Sequence, residues 1–145
     1  MNLNQFRTVI GGELHIELTK APSARACMPK YTVFAEPDAK IKKVRLEAYR
    51  YDEDYERISL TRKELSVPII RRKRITLIGE AGIPIKHEAP NGEYFTVGNV
   101  LKAVEKTERL TRKDAEWFGG IDCHHIYFEG IRPKGRGVYT ISWGS

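Results

Sequence analysis

Between residues 13 and 18 the chain alternates strictly: Leu14, Ile16 and Leu18 are apolar, whereas Glu13, His15 and Glu17 are polar. A period of two sends the two sets to opposite faces of a pleated strand, so this segment reads as a half-buried strand of an antiparallel sheet. Residues 43–51 repeat the pattern, with Val44, Leu46 and Ala48 inward and Lys43, Arg45 and Glu47 outward. A third segment has another period. Val97, Val100, Leu101 and Val104 fall at i, i+3, i+4 and i+7, one apolar stripe along a helix. Thr96 is placed to cap that helix by accepting an orphan backbone N–H. Gly98 in its first turn costs up to about 1 kcal/mol relative to alanine and suits a close backbone approach. Glu105 and Arg109 are spaced to pair on the outer face.

The rest of the chain reads more coarsely. Gly11-Gly12 suggests a turn out of a short strand at 6–10, and hence a hairpin. Pro22 and Pro29 bracket a loop, and residues 31–36 form another strand, stopped by Pro37. Residues 52–66 are charged and fit either a short helix or a long loop. Strands are expected at 67–70, where Pro68 marks an edge or a strand start, at 75–78 and at 83–87. Pro90-Asn91-Gly92 is a turn. A second short helix is expected to start at Thr111 as N-cap, with Leu110 and Ala115 as a weak hydrophobic staple, and to stop at Gly119-Gly120. Two strands, 124–131 and 138–143, close the chain around a loose basic loop at 133–137. Strands with segregated helices predict an α+β fold, a mainly antiparallel sheet with one or two helices packed on one face. There is no repeat and no long linker, so residues 1–145 read as one domain.

Composition limits the function classes. A chain of 145 residues buries roughly 70% of its unfolded surface and needs no disulfide or metal to hold a core. With 41% apolar and 30% charged residues it is neither disordered nor collagen-like. No run approaches the roughly 18 apolar residues of a membrane span. The N-terminal residues lack a secretory apolar core, so an intracellular location, cytoplasmic or nuclear, is expected, with Cys27 and Cys123 as free thiols. A bridge between these two is the alternative.

The net charge is +6, and Arg71, Arg72, Lys73 and Arg74 alone supply four of those charges. Such a run is either a solvated strand edge that blocks aggregation or a docking point for an anionic partner. Lys134 and Arg136, in the basic loop, join it as candidate contacts. Tyr49, Tyr51, Tyr55 and Tyr127 would offer stacking platforms to a nucleic acid if they were exposed, but the sequence pattern of an RNA-recognition sheet is missing. Cys123-His124-His125 is the one cluster of metal-ligand residue types. On a strand, Cys123 and His125 would share a face, and Asp122 would lie with His124. Two ligands are too few for zinc, and no paired-ligand spacing completes them, so no metal and no cofactor is expected. A thiol nucleophile at Cys27 or Cys123 would need a histidine base within reach. Phosphate-cradling glycine motifs are absent, and the acids Asp52, Glu53 and Asp54 lack calcium-loop spacing.

The stretch from Phe95 through Thr96, Val97, Gly98, Asn99, Val100, Leu101, Lys102 and Ala103 to Val104 resembles the "VTVGDVLRAI" signature of an uncharacterised domain family found mainly in basidiomycete fungi. Residues 74–88 resemble the paired strands ahead of that signature, and residues 126–131 with 137–141 are similar to its closing strands. The likeness spans about residues 74–143. Asn99 stands where the signature has aspartate, and the segment 110–120 is shorter than the family's usual helical insert. The resemblance implies an intracellular α+β domain with no assigned activity and no catalytic residues.

Three functions are therefore weighed. The first is a non-enzymatic binding module with a protein partner, for which self-assembly through strand edges is one route. The second is a nucleic-acid-binding protein that uses Arg71, Arg72, Lys73, Arg74, Lys134 and Arg136 on phosphates. The third is a small thiol enzyme around Cys123 and His125.

Overall fold

The computed structural model describes residues 1–19, 40–117 and 120–145. The expected strand at 31–36, the loop around Pro22 and Pro29, and Cys27 lie outside the described residues. The chain opens with helix α1 (Leu3–Val9) and continues into strand β1 (Ile10–Leu18), β2 (Ile41–Tyr51) and β3 (Arg57–Ser59). A one-turn helix α2 (Arg62–Leu65) leads to β4 (Pro68–Ile70), β5 (Arg74–Ile78), β6 (Pro84–Glu88) and β7 (Phe95–Thr96). The long helix α3 (Val97–Thr111) runs into a 3-10 turn at Arg112–Asp114. The short β8 (Glu116–Trp117) and β9 (Gly120–Ile121) follow, and then the hairpin of β10 (Tyr127–Gly135) and β11 (Val138–Gly144).

The main sheet has the strand order β3-β2-β1-β10-β11-β5-β6. Its pairs are antiparallel except that β11 lies parallel to β5, with Val138 opposite Thr76 and Thr140 opposite Ile78. This is the expected α+β fold. The alternation in β1 and β2 sets their register, pairing Leu14 with Leu46 and Ile16 with Val44. The buried stripe Val97, Val100, Leu101 and Val104 of α3 joins Ile75, Leu77, Phe128, Ile131 and Ile141 of the sheet in one core. Phe6 of α1 enters the same core, its ring 6.0 Å from that of Phe128 in an edge-on contact. Both helices thus lie against the core face. Thr96 caps α3 as expected, and the cap is reciprocal. Its hydroxyl accepts from the Asn99 N–H at 3.1 Å, and Asn99 Oδ1 accepts from the Thr96 N–H at 3.0 Å. Gly98 meets the chain as foreseen, since a Cβ there would lie 3.2 Å from the Leu65 carbonyl oxygen.

Several local expectations are corrected. Residues 6–10 do not form a strand: Asn2 and Gln5 make a capping box that starts α1, and only Ile10 belongs to β1. The second short helix after Thr111 is the single 3-10 turn Arg112–Asp114, and Thr111 does not cap it with its side chain: Thr111 ends α3, and its hydroxyl donates to the Thr107 carbonyl at 2.7 Å. Leu110, the other half of the supposed staple, is exposed. Gly120 opens β9, and Gly119 lies outside the described residues. Glu105 does not serve the outer face of α3: its carboxylate turns to β2 and accepts the Leu46 N–H at 2.9 Å. The basic loop at 133–137 is not loose. β10 continues to Gly135, and the reversal takes only Arg136 and Gly137, whose φ of 73° is the left-handed conformation glycine tolerates best. The undecided stretch 52–66 resolves into a turn, β3 and α2.

Candidate functional site

The parallel pairing of β11 with β5 has a consequence for charge. The residues just before β5 are Arg71, Arg72 and Lys73, and the residues just before β11 are Lys134, Gly135, Arg136 and Gly137. Parallel neighbours start at the same end of a sheet, so both basic segments arrive at one corner. The Thr76 N–H donates to the Gly137 carbonyl at 2.8 Å, and the side chain of Arg72 lies across Gly137, 3.5 Å from where a Cβ would stand. Arg71, Lys73, Arg74, Lys134 and Arg136 are all exposed, and Arg72 is half-buried under the turn. The six cations singled out in the sequence therefore come together, although about sixty residues of chain separate the two groups.

Two of the six have local partners. Arg74 Nε lies 3.0 Å from Glu88 Oε1 across the β5–β6 ladder, an exposed pair that weakly neutralises one charge. Arg71 stands over the Tyr94 ring at 6.0 Å, which draws that ring into the corner as a support for the guanidinium. The tyrosines that could stack bases do not converge here. Tyr49 and Tyr51 sit in β2, next to the opposite edge of the sheet. Their rings pack 5.5 Å apart, and Arg57 lies over Tyr49 at 4.4 Å. Burial, with hydrogen bonding and charge from Tyr51, pushes the Tyr49 hydroxyl up to about 12. Tyr55 is exposed in the turn between β2 and β3, at that same far edge.

The Cys123-His124-His125 cluster is built differently from the strand arrangement expected. Residues 123–126 are not in a strand. Asp122 organises them as a turn, its Oδ1 accepting the N–H groups of His124 at 2.8 Å and His125 at 3.1 Å. Its Oδ2 takes the His125 Nδ1–H at 2.7 Å, so Asp122 bonds the His125 ring, which the strand arrangement would have put on the other face. Burial pushes the Asp122 carboxyl up, but the His125 side chain and the two N–H groups outweigh burial and hold it below the usual carboxylate range. Glu80 approaches His125 Nδ1 at 3.3 Å, and burial raises its carboxyl. The ligand atoms of Glu80, Asp122 and His125 lie within 4.8 Å of one another. Their chemistry is that of an internal ion network. Asp122 accepts three hydrogen bonds, His125 Nδ1 is the donor of one of them, and the guanidinium of Arg112 binds the His125 carbonyl at 2.8 Å. The Cys123 thiol is pushed up to about 11, by burial first and then by the charge of Asp122, which disfavours the thiolate that nucleophilic chemistry needs.

Sequence reasoning missed the fully buried pair beneath this turn. Glu108 and Arg112 are both 0% exposed, with Arg112 Nε donating to Glu108 Oε2 at 3.2 Å. The other carboxylate oxygen accepts the Glu80 N–H at 3.1 Å, and Gly79 makes room for it: a Cβ there would stand 2.6 Å from Glu108 Oε1. The Arg112 guanidinium lies 5.0 Å over the Trp143 ring. Arg112 Nη2 and Trp143 Nε1 are buried with no partner among the described residues. The i, i+4 spacing of Glu108 and Arg112 is visible in the sequence, but nothing local marks that face of the helix as buried.

Among the described residues no helix is long and apolar enough to cross a membrane. The chain matches no family model, no curated protein and no solved structure.

Proposed function

We propose that this chain is a non-enzymatic binding module that docks an acidic segment of a protein partner on the basic corner formed by Arg71, Arg72, Lys73, Arg74, Lys134 and Arg136. The observation that carries this reading is the meeting of the two basic segments across the parallel β5–β11 pair. Like charges gathered at one corner cost self-repulsion, and an anionic partner relieves it. A protein partner is favoured over a single-stranded nucleic acid by the aromatic rings. Tyr94 is engaged by Arg71, Tyr49, Tyr51 and Tyr55 lie at the far edge, and Tyr127 opens β10 at the end away from Lys134, so the four tyrosines read as stacking platforms are not at the corner. An intracellular setting and a kinship with the fungal domain family belong to the same proposal. The kinship rests on the likeness at residues 95–104.

The test is binding of purified protein to polyglutamate and to single- and double-stranded DNA and RNA, each at two salt concentrations. A variant with Arg71, Lys73, Lys134 and Arg136 changed to alanine is measured beside it. Polyglutamate binding that weakens with salt and vanishes in the variant is the expected result. Tighter, steeply salt-dependent binding to nucleic acid, lost in the same variant, would replace the protein partner with a phosphate backbone. Equal binding by wild type and variant would remove the corner from the function altogether.

A further inference from the structure

Beside the corner runs a groove of about 450 Å³ between the edge of β6, unpaired among the described residues, and helix α3. His87 and Phe95 line it, with Asn99 at the N-terminal end of α3. Its charged walls are Lys86, Lys102 and Lys106 against the single acid Glu88. Among the described residues β6 ends the sheet order, and its partner there is β5. The ladder alternates. The Ala89 N–H donates to the Lys73 carbonyl at 2.8 Å, so in this register Ala89, His87 and Ile85 turn their backbone groups to β5. The N–H and C=O groups of Lys86 and Glu88 consequently point out of the sheet, toward the groove.

We infer that this groove receives an acidic, extended segment of a partner protein, which adds as a further strand to β6. The ladder groups of Lys86 and Glu88 supply main-chain hydrogen bonds, and Lys102 and Lys106 meet carboxylates on alternate side chains. A lysine on an edge strand by itself is a common device against aggregation. Here two of the three lysines come from the neighbouring helix, and they leave the edge open while charging the space beside it. A second copy of this chain is a poor occupant, because pairing β6 with β6 would bring the same lysines together. The inference deepens the proposed function and rests on it. Arg74 of the corner pairs with Glu88, which also lines the groove, so one acidic segment reaching past Glu88 would meet both.

The experiment uses a short peptide of alternating glutamate and valine, and the same peptide methylated on alternate backbone nitrogens. Binding is followed by fluorescence anisotropy and by amide chemical shifts of the full chain. The parent peptide is expected to bind, to shift and protect the Lys86 and Glu88 amides, and to lose about tenfold in affinity when Lys102 and Lys106 are both changed to glutamate. The methylated peptide keeps its charge and cannot complete the ladder, so it is expected to lose binding. This arm needs no protein variant and does not depend on one folding. Equal binding of the methylated peptide would overturn strand addition. Binding lost in the corner variant but untouched by the Lys102→Glu, Lys106→Glu variant would overturn the groove and leave the proposed function standing. No binding of the peptide or of polyglutamate at low salt would overturn both. Concentration-dependent dimerisation that protects the same amides would overturn the partner in favour of a second copy.

Discussion

Arg112 and Glu108 set the chemistry of the interior at the level of single residues. A guanidinium and a carboxylate with no exposed surface bond each other, and each has one further partner: the Glu80 N–H for Glu108 and the His125 carbonyl for Arg112. Changing Arg112 to Met leaves the Glu108 carboxylate buried against Gly79 without its cation. That single change is expected to cost about 3–5 kcal/mol, read from urea unfolding midpoints. Adding Glu108→Gln, which keeps an acceptor for the Glu80 N–H, should recover part of the loss. A double variant as unstable as the sum of the two single ones would show that the pair is not coupled. His87 is the other residue with a measurable signature. The Thr107 hydroxyl spends its hydrogen on the Ala103 carbonyl, so it is the His87 Nε2–H that donates to Thr107 Oγ1 at 2.7 Å. Burial, aided by Lys106, lowers the imidazole from 6.5 to about 4. Between those values the unfolded chain takes up a proton that the folded chain refuses. Stability is therefore complete above about pH 6.5 and falls as pH drops toward 4, by about 1.4 kcal/mol per unit and about 3 kcal/mol in total. A His87→Gln variant should lose this part of the pH dependence. A variant whose stability falls as steeply as the wild type's would place the titrating group elsewhere.

Elements were legible where the period and the cap agree, and illegible where one was missing. α3 has both, so its start and its buried stripe follow from Thr96 and the valines. Replacing Thr96 with alanine should cost about 1 kcal/mol, seen as a lower unfolding midpoint with an unchanged denaturant slope. An unchanged midpoint would mean that the packing of Val97 and Val100, and not the cap, holds the helix start. Asn99 completes the reciprocal cap, a task aspartate performs equally well. α1 lacks a period. It buries only Phe6, and a helix of two turns with one buried side chain has no stripe to read. Its one signal is the Asn2–Gln5 capping box, which was there to be weighed against the Gly11-Gly12 pair that suggested a strand and a turn. The turn at 122–126 hides for a similar reason. Alternation was read into residues whose backbone is fixed by an Asp122 side chain. An aspartate followed by two residues whose N–H groups it binds is the signal that would have found it.

At the scale of the whole molecule, the sequence could show the cations but not their meeting, because that depends on β11 lying parallel to β5, a pairing between distant segments with no local mark. The same topology grades the sheet from its middle outward. Among the described residues β2, β1, β10, β11 and β5 have a strand on each side, whereas β3 and β6 have one on a single side. β3 is three residues long, while β6 is also tied to α3 through the buried His87–Thr107 hydrogen bond. Native-state hydrogen exchange should therefore be slowest in the inner strands and α3, intermediate for Ile85 and His87, and faster across β3. Within β6 the rates should split by residue parity. The amides of Ile85 and His87 point to β5 and should be protected, while those of Lys86 and Glu88 point outward and should exchange at rates near those of an unstructured peptide. The split is the physical precondition for a strand to add there. If Lys86 and Glu88 exchange as slowly as their neighbours in the isolated chain, the edge is already covered and cannot accept a partner's backbone. If they exchange fast, the molecule presents an unpaired ladder beside three lysines, and acidity is what a partner would need to approach it.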